Sequence, residues 1–323
     1  MINAGIAGLG RWGRVLVDSV QGKSDLIRVS AGCTGRRAKA EDYCAENGID
    51  LRDSLDDLLN DDSLDAVILA TPHGQHRDQV MAAAKAGKQI FIEKPFALTK
   101  ADAEAALAAC EEAGVVCAIG HNRRFLPCMA KLRDMTNTGE LGNVLHIEAQ
   151  FHADGGLNYT EEHWRASDSE SPAGGMTGLG IHSLDALISF LGPITEVTAI
   201  SERRATSVPI DDTTFMIFRF ERGFTGYFST CFATPRDWRI QVLGDKGWAE
   251  MRGHERLTTS MRGGSEEVTT YDPVDIERAE LEAFAVAASG GEPYPIPWSD
   301  IIHATAVLEA IITSAKTGAT VKL

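Results

Sequence analysis

Gly8, Gly10 and Gly13, in the stretch GLGRWG, have the spacing of a phosphate cradle. The apolar run INAGIAG before them reads as a short buried strand, and Trp12, Val15, Leu16 and Val20 follow at helical spacing. In a strand–turn–helix of this kind the first glycine permits a tight turn. The second lets a pyrophosphate approach the backbone, and the third lets the helix pack on the strand. The start of the helix then offers N–H groups and a partial positive charge to an anion. The other reading of the triplet is an ordinary tight turn. The strand-to-helix context favours dinucleotide binding.

Two more stretches have chemistry to offer. At the end of a second strand, GCTGRRAKA carries no acid between Val29 and Lys39. An acid there holds the ribose 2′-hydroxyl of NAD. Thr34 stands in its place, followed by Arg36 and Arg37, and a hydroxyl with two guanidinium groups suits the 2′-phosphate of NADP. NADP is therefore favoured over NAD, the alternative being that both arginines are solvated residues at a helix start. The second stretch is FIEKPFALT, at 91–99. It ends a strand on the carboxyl side of the sheet, where folds of this type bind ligands. Lys94, held by the proline after it, is placed to send its ammonium into that crevice.

The elements that must position these residues alternate over the first 120 residues. Strands at 26–34, 65–71, 88–93 and 115–120 are interleaved with helices at 37–47, 75–87 and 99–114. Repeated β-α-β units imply an α/β fold with a doubly wound parallel sheet, a Rossmann domain. From about 142 to 272 the segments are mostly strand-like and separated by glycine or charged turns, which predicts an open-faced, mostly antiparallel sheet in a C-terminal α+β domain. One helix interrupts it at 180–191, and two close the chain near 275–289 and 299–317. The expected division is 1–122 for the cofactor domain and 123–323 for substrate binding and oligomerisation, with the last helix able to pack back on the first domain.

Composition narrows the class. The chain has 323 residues, 44% hydrophobic and 24% charged, with a formal net charge of −15. That balance argues against nucleic acid or an anionic membrane as partner. No apolar run is long enough to span a membrane, and the N-terminal stretch lacks the basic region of a signal peptide, so a cytoplasmic protein is expected. The six cysteines show no C-x-x-C spacing and read as reduced thiols. His73 and His76, in HGQH, form the only close histidine pair, and no cysteine cluster joins them, so no metal site is expected.

Taken in order, GLGRWG, ATPHGQH (70–76), EKPFALT, GHNRRFLP (120–127), HWR (163–165), GGMTGLGIHSLD (174–185) and SAKTGATVKL resemble the Gfo/Idh/MocA oxidoreductases, the family of glucose–fructose oxidoreductase and inositol dehydrogenase. The resemblance covers nearly the whole chain. It implies a Rossmann domain joined to an open-faced sheet domain, and hydride transfer between nicotinamide and a carbinol carbon, often of a sugar or cyclitol. It implies cofactor contacts from Gly8, Gly10, Arg11, Trp12, Gly13, Thr71, Pro72, His73, His76, Glu93 and Lys94, and a cis Lys94–Pro95 bond. Lys94 matches the lysine that contacts the nicotinamide ribose and the reacting hydroxyl. His182 matches the histidine of a D-x-G-x-H-x-x-D pattern, a proton donor or acceptor, and Asp185 matches its last acid. Gly178 stands where the first acid belongs, which puts a standard polyol substrate in doubt.

The chemistry agrees with that division. Oxidising an alcohol needs a base for the hydroxyl proton as hydride leaves the carbon. A histidine titrates in the right range, and a lysine lowers the hydroxyl pKa. Lys94 and His182 are expected to come from different domains and to meet at one cleft. The other reading of His182 is a core histidine at a helix start. Arg123, Arg124, His163, Trp164, Arg165 and Asp185 are further candidates for a small polar substrate, with a domain-junction ion pair as the alternative for Arg124 and ordinary core for Trp164. Alternatives to the sugar or cyclitol reading are a non-sugar substrate, such as a cyclic dihydrodiol or a carbonyl acid, and a dinucleotide-binding regulator. An exposed sheet face would favour a homodimer or homotetramer.

Overall fold

The apolar runs of the first 120 residues become six short strands. The computed structural model describes residues 1–323. Strands β1 (Ile2–Ala7), β2 (Ile27–Cys33), β3 (Asp50–Leu51), β4 (Ala66–Leu69), β5 (Gln89–Ile92) and β6 (Cys117–Ile119) pair in the order β3-β2-β1-β4-β5-β6. Every pairing is parallel. The order reverses at β1, which leaves a crevice at the carboxyl ends of β1 and β4. All four residues of β4, AVIL, are buried, as expected of a strand covered on both faces.

The connecting helices are α1 (Arg11–Val20), α2 (Glu41–Asn47), α3 (Leu55–Leu59), α4 (His76–Lys85) and α5 (Lys100–Ala113). Local chemistry sets several ends. Thr99 caps α5 by accepting from the Asp102 amide, and Gly114 closes it in the left-handed region at φ 66°. The helix expected over 37–47 begins instead as a 3-10 turn, Arg37–Lys39, because no side chain caps the start of α2 at Ala40. Helix α3 was not anticipated, although Ser54 and Asp57 form a capping box that marks its start.

The second unit starts with α6 (Pro127–Asn137), also unanticipated, with Pro127 in its first turn and Cys128, Met129, Leu132, Met135 and Thr136 on its buried face. Strand β7 (Val144–His152) and helix α7 (Ile181–Leu191) follow. Then come β8 (Ile194–Glu202), β9 (Thr213–Phe220), β10 (Thr225–Cys231), β11 (Asp237–Gly244), β12 (Gly247–Arg252), β13 (Arg256–Met261) and β14 (Glu266–Thr270). With the terminal β15 (Val321–Lys322) they form a nine-stranded sheet, β14-β13-β12-β11-β7-β10-β9-β8-β15. It is antiparallel except between β7 and β10. Burial alternates along β9, with Thr214, Met216, Phe218 and Phe220 inward. On the other face Phe215, Ile217 and Ile200 of β8 are 44%, 50% and 63% exposed.

The chain divides into Met1–Asn122 with Asp275–Ile301, and Arg123–Val274 with Ile302–Leu323. The segment from Asp275 thus groups with the first unit, and not with the second as a 123–323 division has it. The reason is helix α8 (Ile276–Ala288). Its Leu281, Phe284 and Ala285 lie in one core with Ile2, Val29 and Phe91. The Phe91 and Phe284 rings are 5.8 Å apart. Beyond α8, the Tyr294 hydroxyl donates to the Ile119 carbonyl at 2.8 Å and the Trp298 indole to that of Cys117 at 2.9 Å. Helix α8 lies wholly in the first unit, and of the last helix, α9 (Trp298–Thr317), only the first turn joins it, through Trp298. No helix is long and apolar enough to cross a membrane.

Candidate active site

The glycine turn between β1 and α1 is built by close backbone approach. Gly8 sits at φ 102°, and a Cβ there would collide with the Ala70 carbonyl oxygen. A Cβ at Gly13 would collide with the carbonyl oxygen of Gly8. Neither position admits a side chain, so β1, β4 and α1 meet backbone to backbone. Gly10 is different: a Cβ there would meet nothing within 4 Å. It opens α1, whose first turn carries no acid and whose first N–H groups lack intrahelical partners. The buried indole N–H of Trp12 has no protein acceptor. An open space at an unblocked helix start is what a pyrophosphate requires, and these residues fit a dinucleotide.

At the end of β2 the three expected phosphate ligands separate. Thr34 is half-buried and Arg36 exposed. The Arg37 guanidinium is engaged elsewhere. It donates to Asp53 at 2.7 Å and to the carbonyls of Leu51 and Arg52 at 3.1 and 3.3 Å. These bonds tie the 3-10 turn to β3, in a cleft that also holds Asp50, Asp57 and Asp61. An acidic cleft repels a phosphate, which leaves Thr34 and Arg36 as the candidate contacts.

Lys94 follows the carboxyl end of β5 and is half-buried, and its bond to Pro95 is cis, as the family resemblance implies. Glu93 is 6% exposed, and its carboxylate accepts from the Lys94 amide at 3.3 Å. Gly120 makes room for that carboxylate, since a Cβ at Gly120 would lie 2.7 Å from Glu93 Oε1. His76 is fully buried, with Nδ1 2.8 Å from the Pro95 carbonyl and Nε2 3.1 Å from that of Thr71, and the ring nitrogen that carries the proton donates to its carbonyl. It therefore clasps the turn after β4 to the lysine-bearing turn after β5. Thr71 bonds to Gln79 at 2.5 Å, and the buried His73 ring packs edge-on against His76 at 5.8 Å. No group of three or more His, Cys, Asp or Glu is close enough to hold a metal.

In the second unit His182 is 4% exposed and lies in the first turn of α7. The chain enters that helix through a π-helical turn, Met176–Gly180, a departure from α geometry that recurs at functional sites. Ala173 and Gly174 before it have φ 52° and 51°. The strained alanine is held by Thr214, which donates to its carbonyl at 3.2 Å. Thr177 donates back to the Pro172 carbonyl and closes the turn. Gly178 is half-buried, and a Cβ there would meet nothing within 4 Å, so its surroundings leave room for a side chain.

Arg124 and Asp185 face each other. The guanidinium donates from Nε at 2.8 Å and from Nη2 at 2.7 Å to the two carboxylate oxygens, with side chains 6% and 2% exposed. This bidentate pair fixes α7 to the turn at 122–125, and removing one partner of such a buried pair costs about 3–5 kcal/mol. His163, Trp164 and Arg165 stack on one another. Tyr159 lies 4.2 Å from the His163 ring, His163 lies 6.3 Å from Trp164, and the Arg165 guanidinium sits 4.0 Å over Trp164. Tyr159 also packs edge-on against Phe232, and both Tyr159 and Leu179 of the π turn pack on the small core of Ala166, Val208, Ile210 and Phe232.

Sequence reasoning missed Phe151, Arg236, Trp238 and His254. They reach one place only through the order of β7, β11 and β12 in the sheet. The rings of Phe151 and His182 are 6.5 Å apart, and the Trp238 indole donates to Ser183 at 2.9 Å.

The contrast among the glycines makes a prediction. Gly10→Ala should leave the unfolding temperature of the free protein nearly unchanged and weaken NADP(H) binding by about tenfold or more, since its methyl group enters only the ligand's space. Fluorescence titration beside a thermal melt tests this, and equal cofactor affinity in the two proteins would contradict it.

Comparison with known proteins agrees with this geometry. Residues 2–121 match the model of the oxidoreductase family, NAD-binding Rossmann fold, and residues 129–250 match the GFO/IDH/MocA C-terminal domain. The scyllo-inositol 2-dehydrogenase (NAD(+)) of Bacillus subtilis is 30% identical over 311 residues, covering 90% of this chain and 87% of that protein. The D-xylose 1-dehydrogenase (NADP(+)) 2 of Haloferax volcanii is 29% identical over 280 residues, covering 84% of each. The crystal structure of aldose-aldose oxidoreductase from Caulobacter crescentus, complexed with glycerol, superposes with a TM-score of 0.89 at 25% identity, covering 100% of this chain and 99% of the other. The chain is a Gfo/Idh/MocA oxidoreductase with an NAD(P)-binding Rossmann domain.

Proposed function

We propose that this oxidoreductase transfers a hydride between NADP(H) and a carbinol or carbonyl carbon of a sugar, cyclitol or related polyol. The observation that carries the reading is the edge of the first sheet. The open cradle at Gly10, the acid-free end of β2 at Thr34 and the lysine after β5 all lie at the carboxyl ends of parallel strands. The bound nicotinamide accepts or supplies the hydride. Lys94 holds positive charge toward the reacting oxygen and stabilises it as its proton leaves. His182 takes that proton in oxidation and returns it in reduction. The half-buried setting of Lys94 strengthens its field relative to one in bulk water. Gly178 favours a second reading, a substrate such as a cyclic dihydrodiol, because no carboxylate stands there to bind a polyol hydroxyl.

Lys94→Ala and His182→Ala should each lower turnover by about a hundredfold or more while cofactor affinity is nearly kept. Steady-state kinetics on a substrate found by screening sugars, cyclitols and dihydrodiols measures this. Near wild-type turnover in both variants would return the chain to a regulatory role.

For the cofactor, the absence of an acid at the end of β2 supports NADP, and the commitment of Arg37 to Asp53 divides the two arginines. Arg36→Ala should weaken NADPH binding by about 1–3 kcal/mol and NADH binding far less. Arg37→Ala should act mainly on stability. Titrating both variants with both cofactors checks the division, and a wild-type preference for NADH would refute it.

The outward face of β8 and β9, with Ile200 opposite Phe215 in register and Ile217 beside them, supports self-association into a dimer or tetramer. Ile217→Glu should shift the protein toward monomer in sedimentation velocity, and an unchanged distribution would rule that face out. The six cysteines are free thiols, which suits a reducing compartment such as the cytoplasm.

A further inference from the structure

One side chain of the first unit reaches two of the segments that the cofactor reading uses. Arg14 is half-buried near the start of α1. Its Nε donates to the Leu9 carbonyl at 3.3 Å, and its Nη2 donates to the Lys39 carbonyl. Leu9 stands in the glycine turn, between Gly8 and Gly10. Lys39 ends the 3-10 turn that follows Thr34 and Arg36. Both acceptors are backbone carbonyls, so what Arg14 holds is the course of the chain.

Tyr43 of α2 sets the guanidinium. The centre of its ring is 4.8 Å from Arg14 Cζ, and its hydroxyl donates to Asp18 at 2.6 Å. A guanidinium held against an aromatic ring keeps its planar fork in one orientation, and a fork can serve two carbonyls where an ammonium acts from a single point. The loop needs such support. Residues 35–39 are all exposed, so no apolar burial holds them in place. Arg37 supplies a second anchor through its bonds to Asp53 and to the carbonyls of Leu51 and Arg52. Arg36 therefore sits on a short exposed turn tied at Arg37 to β3 and at Lys39 to the glycine turn.

We propose that Arg14 is a positioning residue for cofactor choice: by clasping the Lys39 carbonyl to that of Leu9, it sets where Thr34 and Arg36 stand relative to the glycine turn. The 2′-phosphate of NADP then meets a hydroxyl and a guanidinium already in place. The inference rests on the NADP reading of the end of β2, as set out under the proposed function. A loop that must be ordered on binding costs affinity, and the cost falls on the ligand that uses the loop. NADH has no 2′-phosphate and draws less on Thr34 and Arg36. Loss of the clasp therefore acts on one cofactor more than on the other, which a general loss of stability does not do.

The test uses the full chain carrying Arg14→Met, which keeps an unbranched stem and loses both donors, or Arg14→Lys, which keeps the charge and loses the fork. Fluorescence titration with NADPH and NADH gives the affinities, a thermal melt shows that the variants fold, and hydrogen exchange of residues 35–40 in the cofactor-free protein reports on the clasp. Arg14→Met should weaken NADPH binding by about tenfold and NADH binding by about threefold or less, with faster exchange at 35–40. Arg14→Lys should recover only part of the NADPH affinity, and it carries the same comparison if Arg14→Met does not fold. Equal losses for the two cofactors, unchanged exchange, or full recovery with lysine would overturn the inference. The ratio of the two affinities separates it from the reading beneath it. A wild-type preference for NADPH that Arg14→Met leaves intact keeps the NADP reading and overturns the clasp's role in choice. A wild-type preference for NADH refutes the NADP reading; the positioning role then stands if Arg14→Met shifts the ratio and falls if it does not.

Discussion

The backbone contact at the first glycine turn is the constraint on which the first unit depends. A strand, a neighbouring strand and a helix meet there with no side chain between them, because the carbonyls of Gly8 and Ala70 occupy the space that a Cβ at Gly13 or Gly8 would need. That approach points the start of α1 at the carboxyl edge of the parallel sheet. The same edge carries the ends of β2 and β5, so the glycine turn, Thr34 and Lys94 lie along one edge of the sheet. His76 extends this by tying the turn after β4 to Pro95.

In the second unit a charged contact fills the corresponding role. The Arg124–Asp185 pair and the Trp238–Ser183 bond hold the first turns of α7, while the π turn and the strained Ala173 set the angle at which the chain enters it. His182 thus stands on a helix that is nearly all buried and bonded from two sides. For the proton transfer proposed for His182, such support means that the ring would lose little freedom when substrate arrives.

Local features were legible in the sequence and distant ones were not. The glycine turn and the Lys94–Pro95 step each depend on a few consecutive residues, and both were visible as patterns. The bond from Arg37 to Asp53 was not legible, because its partner lies 16 residues away across a strand pairing. Arg124 and Asp185 are 61 residues apart, and nothing in their spacing says that they meet. Helix α8 has an amphipathic face like any other, and periodicity does not say which of two cores that face joins. The cluster around Phe151 was invisible for the same reason, since it exists only once β11 has paired with β7.

The account turns on whether the residues at the sheet edge support hydride transfer to a nicotinamide. The most direct measurement is the near-ultraviolet absorbance of reduced nicotinamide when the wild-type protein and NADP⁺ meet a panel of neutral and acidic sugars and cyclitols. The account predicts a steady rise with at least one member of the panel, faster with NADP⁺ than with NAD⁺. A protein that binds NADP⁺ tightly yet gives no absorbance change with any member, and oxidises no NADPH with the corresponding carbonyl compounds, would contradict it.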